Sequence, residues 1–177
     1  MKLFRILTIL LLVHFKAYAL IEVDITRGNL NPLPIAVSPL SSDENSLSEI
    51  KKILNLKDLG SEISSVVENN LKQSGLFNPL DKDAFLQKPD IAHLKPRFED
   101  WKLIKAQALI TGKVEIIDEN LRVEFRLWDV LAAKEMLAIA FTTVPTNWRR
   151  VGHIITDKVY ERLTGEKGYF DTRIIYV

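Results

Sequence analysis

The chain has 177 residues, with 24 Lys and Arg against 23 Asp and Glu, and no cysteine. So near a balance offers no basic field for the counterion release that holds nucleic acid, and that class of partner is excluded. The lack of cysteine removes thiol nucleophiles, thiolate metal sites, disulfides and a lipidated N-terminal Cys, so the core must hold the fold alone.

Met1-Lys2-Leu3-Phe4-Arg5 is a short basic start, and Ile6 to Val13 is apolar but for Thr8. Ala17-Tyr18-Ala19 has the small-x-small pattern of a signal-peptidase site. A bilayer span takes about 20 apolar residues, and this run is roughly half that before His14 and Lys16 close it. Residues 1–19 are therefore expected to be a signal peptide cut between Ala19 and Leu20. Its removal takes away Lys2, Arg5 and Lys16 and no acid, so 21 basic and 23 acidic residues remain, a formal −2. The remaining length suits one domain.

From the new N-terminus, Ile21, Val23 and Ile25 alternate with Glu22, Asp24 and Thr26 as on a strand. An ordinary first strand of the domain's own sheet has the same periodicity. Residues 26–34, Thr-Arg-Gly-Asn-Leu-Asn-Pro-Leu-Pro, are rich in turn formers and favour a tethered strand that can add to a partner's sheet edge. A partner-binding strand and linker over 20–34 therefore stands beside the reading of an ordinary first strand.

The folded body is expected over 35–168. Ile35-Ala36-Val37 reads as a buried strand and 41–58 as a polar loop with at most one helical turn near Leu47–Leu54. Leu59, Ile63, Val67 and Leu71 recur every four residues and predict a helix ended by Gly75. Leu76-Phe77 starts a short strand. After a polar stretch with Pro89 and Pro96, Arg97 to Lys105 predicts a helix with Phe98 and Trp101 inward. Ala106 to Ile117 is the first arm of a hairpin turning at Asp118-Glu119-Asn120, and Leu121, Val123, Phe125 and Leu127 alternate with Arg122, Glu124 and Arg126 in the second. Met136 to Val144 predicts the next strand. A last helix, capped by Thr146 or Asn147, carries Trp148, Val151, Ile155, Val159 and Leu163 on one face and ends at Gly165. The order predicts an α/β fold, a mixed sheet with helices packed against it.

Candidate chemistry is sparse. His153 and Asp157 are four apart on the last helix, a spacing able to share a metal, but His93 falls in a Pro-flanked loop and supplies no third ligand. A polar outer helix face explains the pair better. Ser64 and Ser65 lack a nucleophile elbow, and Glu99-Asp100 and Asp118-Glu119 have no reason to face across a cleft. No enzyme, cofactor or metal site is expected.

Three blocks carry a resemblance to a known family. Leu163-Thr164-Gly165-Glu166-Lys167-Gly168-Tyr169-Phe170-Asp171-Thr172-Arg173-Ile174-Ile175-Tyr176-Val177 meets every fixed position of L-T-G-x-x-G-x-F-x-T-R-I-x-Y-V. Ser74-Gly75-Leu76-Phe77-Asn78-Pro79-Leu80 meets S-G-x-F-x-P-L, and Pro34-Ile35-Ala36-Val37 fits a first core strand. In this order the blocks resemble the amino-terminal domain of the TolB family of the Tol-Pal system. The resemblance implies a non-catalytic periplasmic scaffold that supports outer-membrane integrity and outer-membrane invagination during cell division. It further implies that the periplasmic domain of TolA binds the mature N-terminus, here Leu20, Ile21, Glu22, Val23, Asp24, Ile25 and Thr26. No small-molecule substrate is implied. In the family a C-terminal β-propeller binds Pal; residues 169–177 would begin the link to it, and Pal binding falls on no residue of this chain. An apolar surface near Tyr169 and Phe170 would then face the propeller. A truncated remnant, or a different periplasmic assembly module of the same fold, stays open beside this reading.

Overall fold

The structure is a computed structural model that describes residues 31–172. The signal peptide, its cleavage site at Ala19 and Leu20, and the strand at 20–26 lie outside the described residues.

The chain enters on β1 (Leu33–Val37) and β2 (Ser41–Ser42), then forms α1 (Glu44–Leu54), α2 (Leu59–Gln73) and β3 (Phe77–Pro79). Two short helices follow, α3 (Pro89–Leu94) and α4 (Phe98–Leu103). Three long strands, β4 (Ala108–Ile117), β5 (Asn120–Asp129) and β6 (Lys134–Thr143), lead to the last helix, α5 (Trp148–Thr164). The sheet order is β3-β1-β4-β5-β6, and β2 pairs with β4 beyond the end of β1. β1 runs parallel to β3 and β4, and β2 parallel to β4, while β4, β5 and β6 are antiparallel. The mixed sheet with packed helices is as the sequence predicts.

Several boundaries differ. β1 begins at Leu33, ahead of the expected 35, because Leu33 is buried and pairs with Phe77. The stretch expected as a loop holds α1. Asp43 caps it by accepting the Ser46 amide at 2.7 Å, Asn55 closes it with φ 55°, and buried Ser46 accepts the Ile116 amide of β4 through its hydroxyl. Ile50 is the fully buried apolar anchor of this helix, so a periodic apolar stripe had little to show. Pro89 opens α3 at its first position, where a missing N–H costs nothing. His93 accordingly sits on a helix and is buried, not in a loop. β6 starts at Lys134, earlier than expected. Asn147 precedes α5 without a side-chain cap bond, its amide bonding Thr143 instead.

The Asp118-Glu119 turn has φ of 47° and 64°, the geometry of a tight two-residue hairpin that matches strand twist. It brings Ile117 opposite Asn120 and sets the register of β4 on β5. One face of the sheet carries Ile35, Val37, Ile110, Leu121, Val123, Phe125 and Leu127. It packs against Ile63, Val67 and Leu71 of α2 and Val151, Ile155, Val159 and Leu163 of α5. At Gly60 a β-carbon would lie 1.9 Å from the Leu40 carbonyl oxygen, so only glycine lets α2 begin this close to the β1–β2 loop. Ser64 fastens the same contact, accepting from the Leu40 amide and donating to backbone carbonyls.

Among the described residues the opposite face is covered at one end only. There α3 and α4 bury Ala92 and Trp101 against Ala36, Leu109 and Val130. Gln87 ties this small layer together: it donates to the Lys95 carbonyl at 3.0 Å and accepts from the Arg97 amide at 2.8 Å and the Trp101 indole at 3.2 Å. The rest of the face is charged, with Lys113 paired to Glu115, Arg122 to Glu124 and Arg126 to Glu135.

Candidate functional site

The segment singled out as the partner-binding strand, Leu20 to Thr26, is outside the described residues, but the point where it joins the domain is well defined. Leu33 donates its amide to the Leu76 carbonyl at 2.9 Å, and Gln107 donates to the Pro34 carbonyl at 2.9 Å. The segment therefore leaves from the start of β1, a strand held on both sides, by β3 and β4.

A run of ring contacts links this root to residues 169 and 170. Phe77, the register partner of Leu33, meets Tyr160 edge-on at 6.1 Å. Tyr160 in turn contacts Tyr169 at 5.6 Å and Phe170 at 5.8 Å, and those two rings stack at 4.5 Å. Burial pushes the Tyr160 phenol up from its ordinary pKa. Tyr169 is 52% exposed, while Phe170 is half-buried and packs against the main core. The residues beyond 172 are outside the described set.

Asp157 holds this outgoing segment in place. Its two carboxylate oxygens accept the Phe170 amide at 2.7 Å and the Asp171 amide at 3.1 Å. A β-carbon at Gly168 would lie 2.4 Å from Asp157, which explains the glycine. Arg150, about two α5 turns earlier, grips Asp171 through both of its carboxylate oxygens. The polar pair on α5 thus has two structural tasks. Asp157 clamps the exit, and His153, half-buried, meets the Asn70 side-chain amide at 2.9 Å, with Asn70 also bonded to Thr156. These bonds join α2 to α5, so the simple outer polar face read from the sequence is corrected: both side chains are engaged. Among the described residues no group of three His, Cys, Asp or Glu side chains is arranged to hold a metal.

Sequence reasoning missed Gln87 and the Asp157 clamp, because their partners are backbone groups that a residue pattern does not display. The Gly-x-Phe-x-Thr run was the visible signal for the clamp, since the glycine marks a close approach. Also missed was buried His93, whose ring burial pushes below its ordinary pKa against the opposing influence of Glu124.

Comparison with known proteins follows the same outline. Residues 21–136 match the family described as the TolB amino-terminal domain. Over 167 residues the chain is 80% identical to the Tol-Pal system protein TolB of Pelagibacter ubique (strain HTCC1062), an alignment covering 94% of this chain and 37% of that protein. The chain thus spans little more than a third of the length of that curated relative. The crystal structure of TolB from Acinetobacter baumannii superposes with a TM-score of 0.61 at 22% identity, over 86% of this chain and 33% of that one; at this identity the likeness bears on the fold.

Proposed function

Because the chain belongs to the TolB amino-terminal domain family, we propose that it is a component of the Tol-Pal system, an exported, non-catalytic scaffold of the periplasm. In this reading the segment Leu20 to Thr26 binds the periplasmic domain of TolA by strand addition, with Ile21, Val23 and Ile25 filling pockets and the backbone supplying hydrogen bonds. The contact supports outer-membrane integrity and the drawing-in of the outer membrane during division. Any contact with Pal belongs to a propeller following the domain, joined through the Tyr169-Phe170 surface. The observation that carries the reading is the alternating segment itself, linked by turn-forming residues to a strand locked between two neighbours. A scaffold that passes force between partners needs such a rigid root.

A non-catalytic role is further supported by the use made of the polar residues singled out from the sequence. Ser64, His153 and Asp157 all have structural bonds that a nucleophile, a metal ligand or a general base would have to give up.

The test is direct. A peptide of residues 20–28 is expected to bind the TolA periplasmic domain, and deletion of residues 20–26 to abolish binding by the chain while its circular dichroism and unfolding midpoint stay unchanged. Affinity that survives the deletion overturns the assignment.

A further inference from the structure

The small layer over the sheet, residues 85–105, is tied within itself and seated by packing. Gln87 bonds the Lys95 carbonyl, the Arg97 amide and the Trp101 indole, and Arg97 pairs with Asp100 and Lys102 with Glu99. Among the described residues no hydrogen bond or ion pair runs from 85–105 to a strand of the sheet. Ala92 and Trp101 rest on Ala36, Leu109 and Val130, and Phe98 meets Trp128 edge-on at 5.8 Å. A segment held together from within, on so few apolar side chains, can open as a unit while the main core stays closed.

One residue of this layer changes charge near neutral pH. His93 lies beside Ala92 on α3 and is 5% exposed. Its Nδ1 is shut off from solvent and has no hydrogen-bond partner among the described residues. An imidazolium carries an N–H on both nitrogens, and each needs an acceptor or water. Burial is the largest influence on the ring and pushes it below the ordinary imidazole value; from the sheet Glu124 and Glu115 oppose that shift, while Arg126 and Lys113 add to it. Both acids are already paired, Glu115 with Lys113 and Glu124 with Arg122. Asp90, one turn earlier on α3, and Asp43, just after β2, line the same hollow as the ring. Asp43 is held by the Ser46 amide.

We propose that the α3–α4 layer is an acid-released flap: protonation of His93 frees residues 85–105 from the sheet as one piece and bares Ala36, Leu109 and Val130, while the helix-covered core stays folded. In the open form water reaches both ring nitrogens, so that form takes up the proton at the higher pH. Closure is therefore favoured in full above about pH 6.5 and weakens as pH falls below it. Gln87 makes α3 and α4 respond together, since its three bonds span both. The device does not depend on the role proposed for residues 20–26.

The test is hydrogen exchange of the full chain at about pH 7.5 and pH 5, each rate taken relative to the intrinsic rate at that pH. The amides of Ala92, Lys95, Arg97, Asp100 and Lys105 are bonded within the layer. Their protection should fall together by about threefold to thirtyfold, the upper figure being the limit for a ring that accepts no proton when closed. The amides of α2 and α5 should keep their protection. His93→Gln, neutral at both pH values, should remove the difference. The ratio is read within each protein, so a variant with a looser layer still answers. His153→Gln should leave the difference in place. Equal protection of the wild-type layer at the two pH values, a fall that extends to α2 and α5, the same fall in His93→Gln, or its loss in His153→Gln would each overturn the proposal.

Discussion

Neighbouring residues of β5 live in different solvents. Leu121, Val123, Phe125 and Leu127 enter the layer between sheet and helices, while Arg122, Glu124 and Arg126 stand on a face that α3 and α4 cover at one end. The first face has the long helices α2 and α5 over it; the second has two six-residue helices tied together by Gln87. Stability is thereby concentrated on one side, and the other side is left with charge, clefts and short elements that can meet other molecules. The rule is general for a sheet of this kind: a face without long helices must be polar to stay in water, and a polar face is available for recognition.

Four measurements test how unequal the faces are. Phe125→Ala should cost about 3–5 kcal/mol in urea unfolding, because a fully buried ring stacked near Phe141 leaves a cavity that packed helices cannot close. Gln87→Ala should cost about 2 kcal/mol, since it leaves the Arg97 amide, the Trp101 indole and the Lys95 carbonyl without a partner. Hydrogen exchange should show that loss confined to residues 95–103, with α2 and α5 still protected. Protection lost everywhere would mean that the small layer and the main core unfold as one unit.

The third measurement is of pH. Burial holds His93 below the usual 6.5 of a free imidazole, so the unfolded chain takes up a proton at a higher pH than the folded one. Stability from this residue is complete above about pH 6.5 and declines as pH falls through the folded value. Wild type should therefore lose more stability than His93→Gln between about pH 7.5 and pH 5. Glu124, Glu115, Lys113 and Arg126 act on the ring in both directions, and parallel curves for the two proteins would show that they cancel the effect of burial. The smallest effect belongs to Arg126→Ala, next in sequence to Phe125. Its pair with Glu135 is solvent-exposed and should contribute less than about 1 kcal/mol; a cost near that of Phe125→Ala would erase the distinction between the faces.

Legibility in the sequence followed the same division. The helix-covered face was read almost residue by residue, since Leu59, Ile63, Val67 and Leu71 on α2 and the alternation of β5 are strong periodic signals. The thinly covered face was not. α1 and α3 have few apolar anchors, and α3 opens on a proline that also suits a loop, so local pattern could not separate helix from turn. Nor could pattern show that Asp157 answers the amides of residues 170 and 171, because backbone partners leave no mark in residue type.

By itself the sequence determined the covered core, the alternating strands, the leader pattern and the blocks that place the chain in its family. These follow from periodicity and from glycines at fixed points, both of which are local. Only the tertiary structure decided that Phe77 and Tyr160 link the root of the N-terminal segment to the exit at Tyr169 and Phe170. It also decided that His93 and Ser42, far apart in sequence, line one cleft, where the Ser42 hydroxyl and His93 Nδ1 have no hydrogen-bond partner among the described residues. Such neighbours are set by the order of strands in the sheet, β3-β1-β4-β5-β6, and strand order depends on long-range pairing that no local pattern encodes.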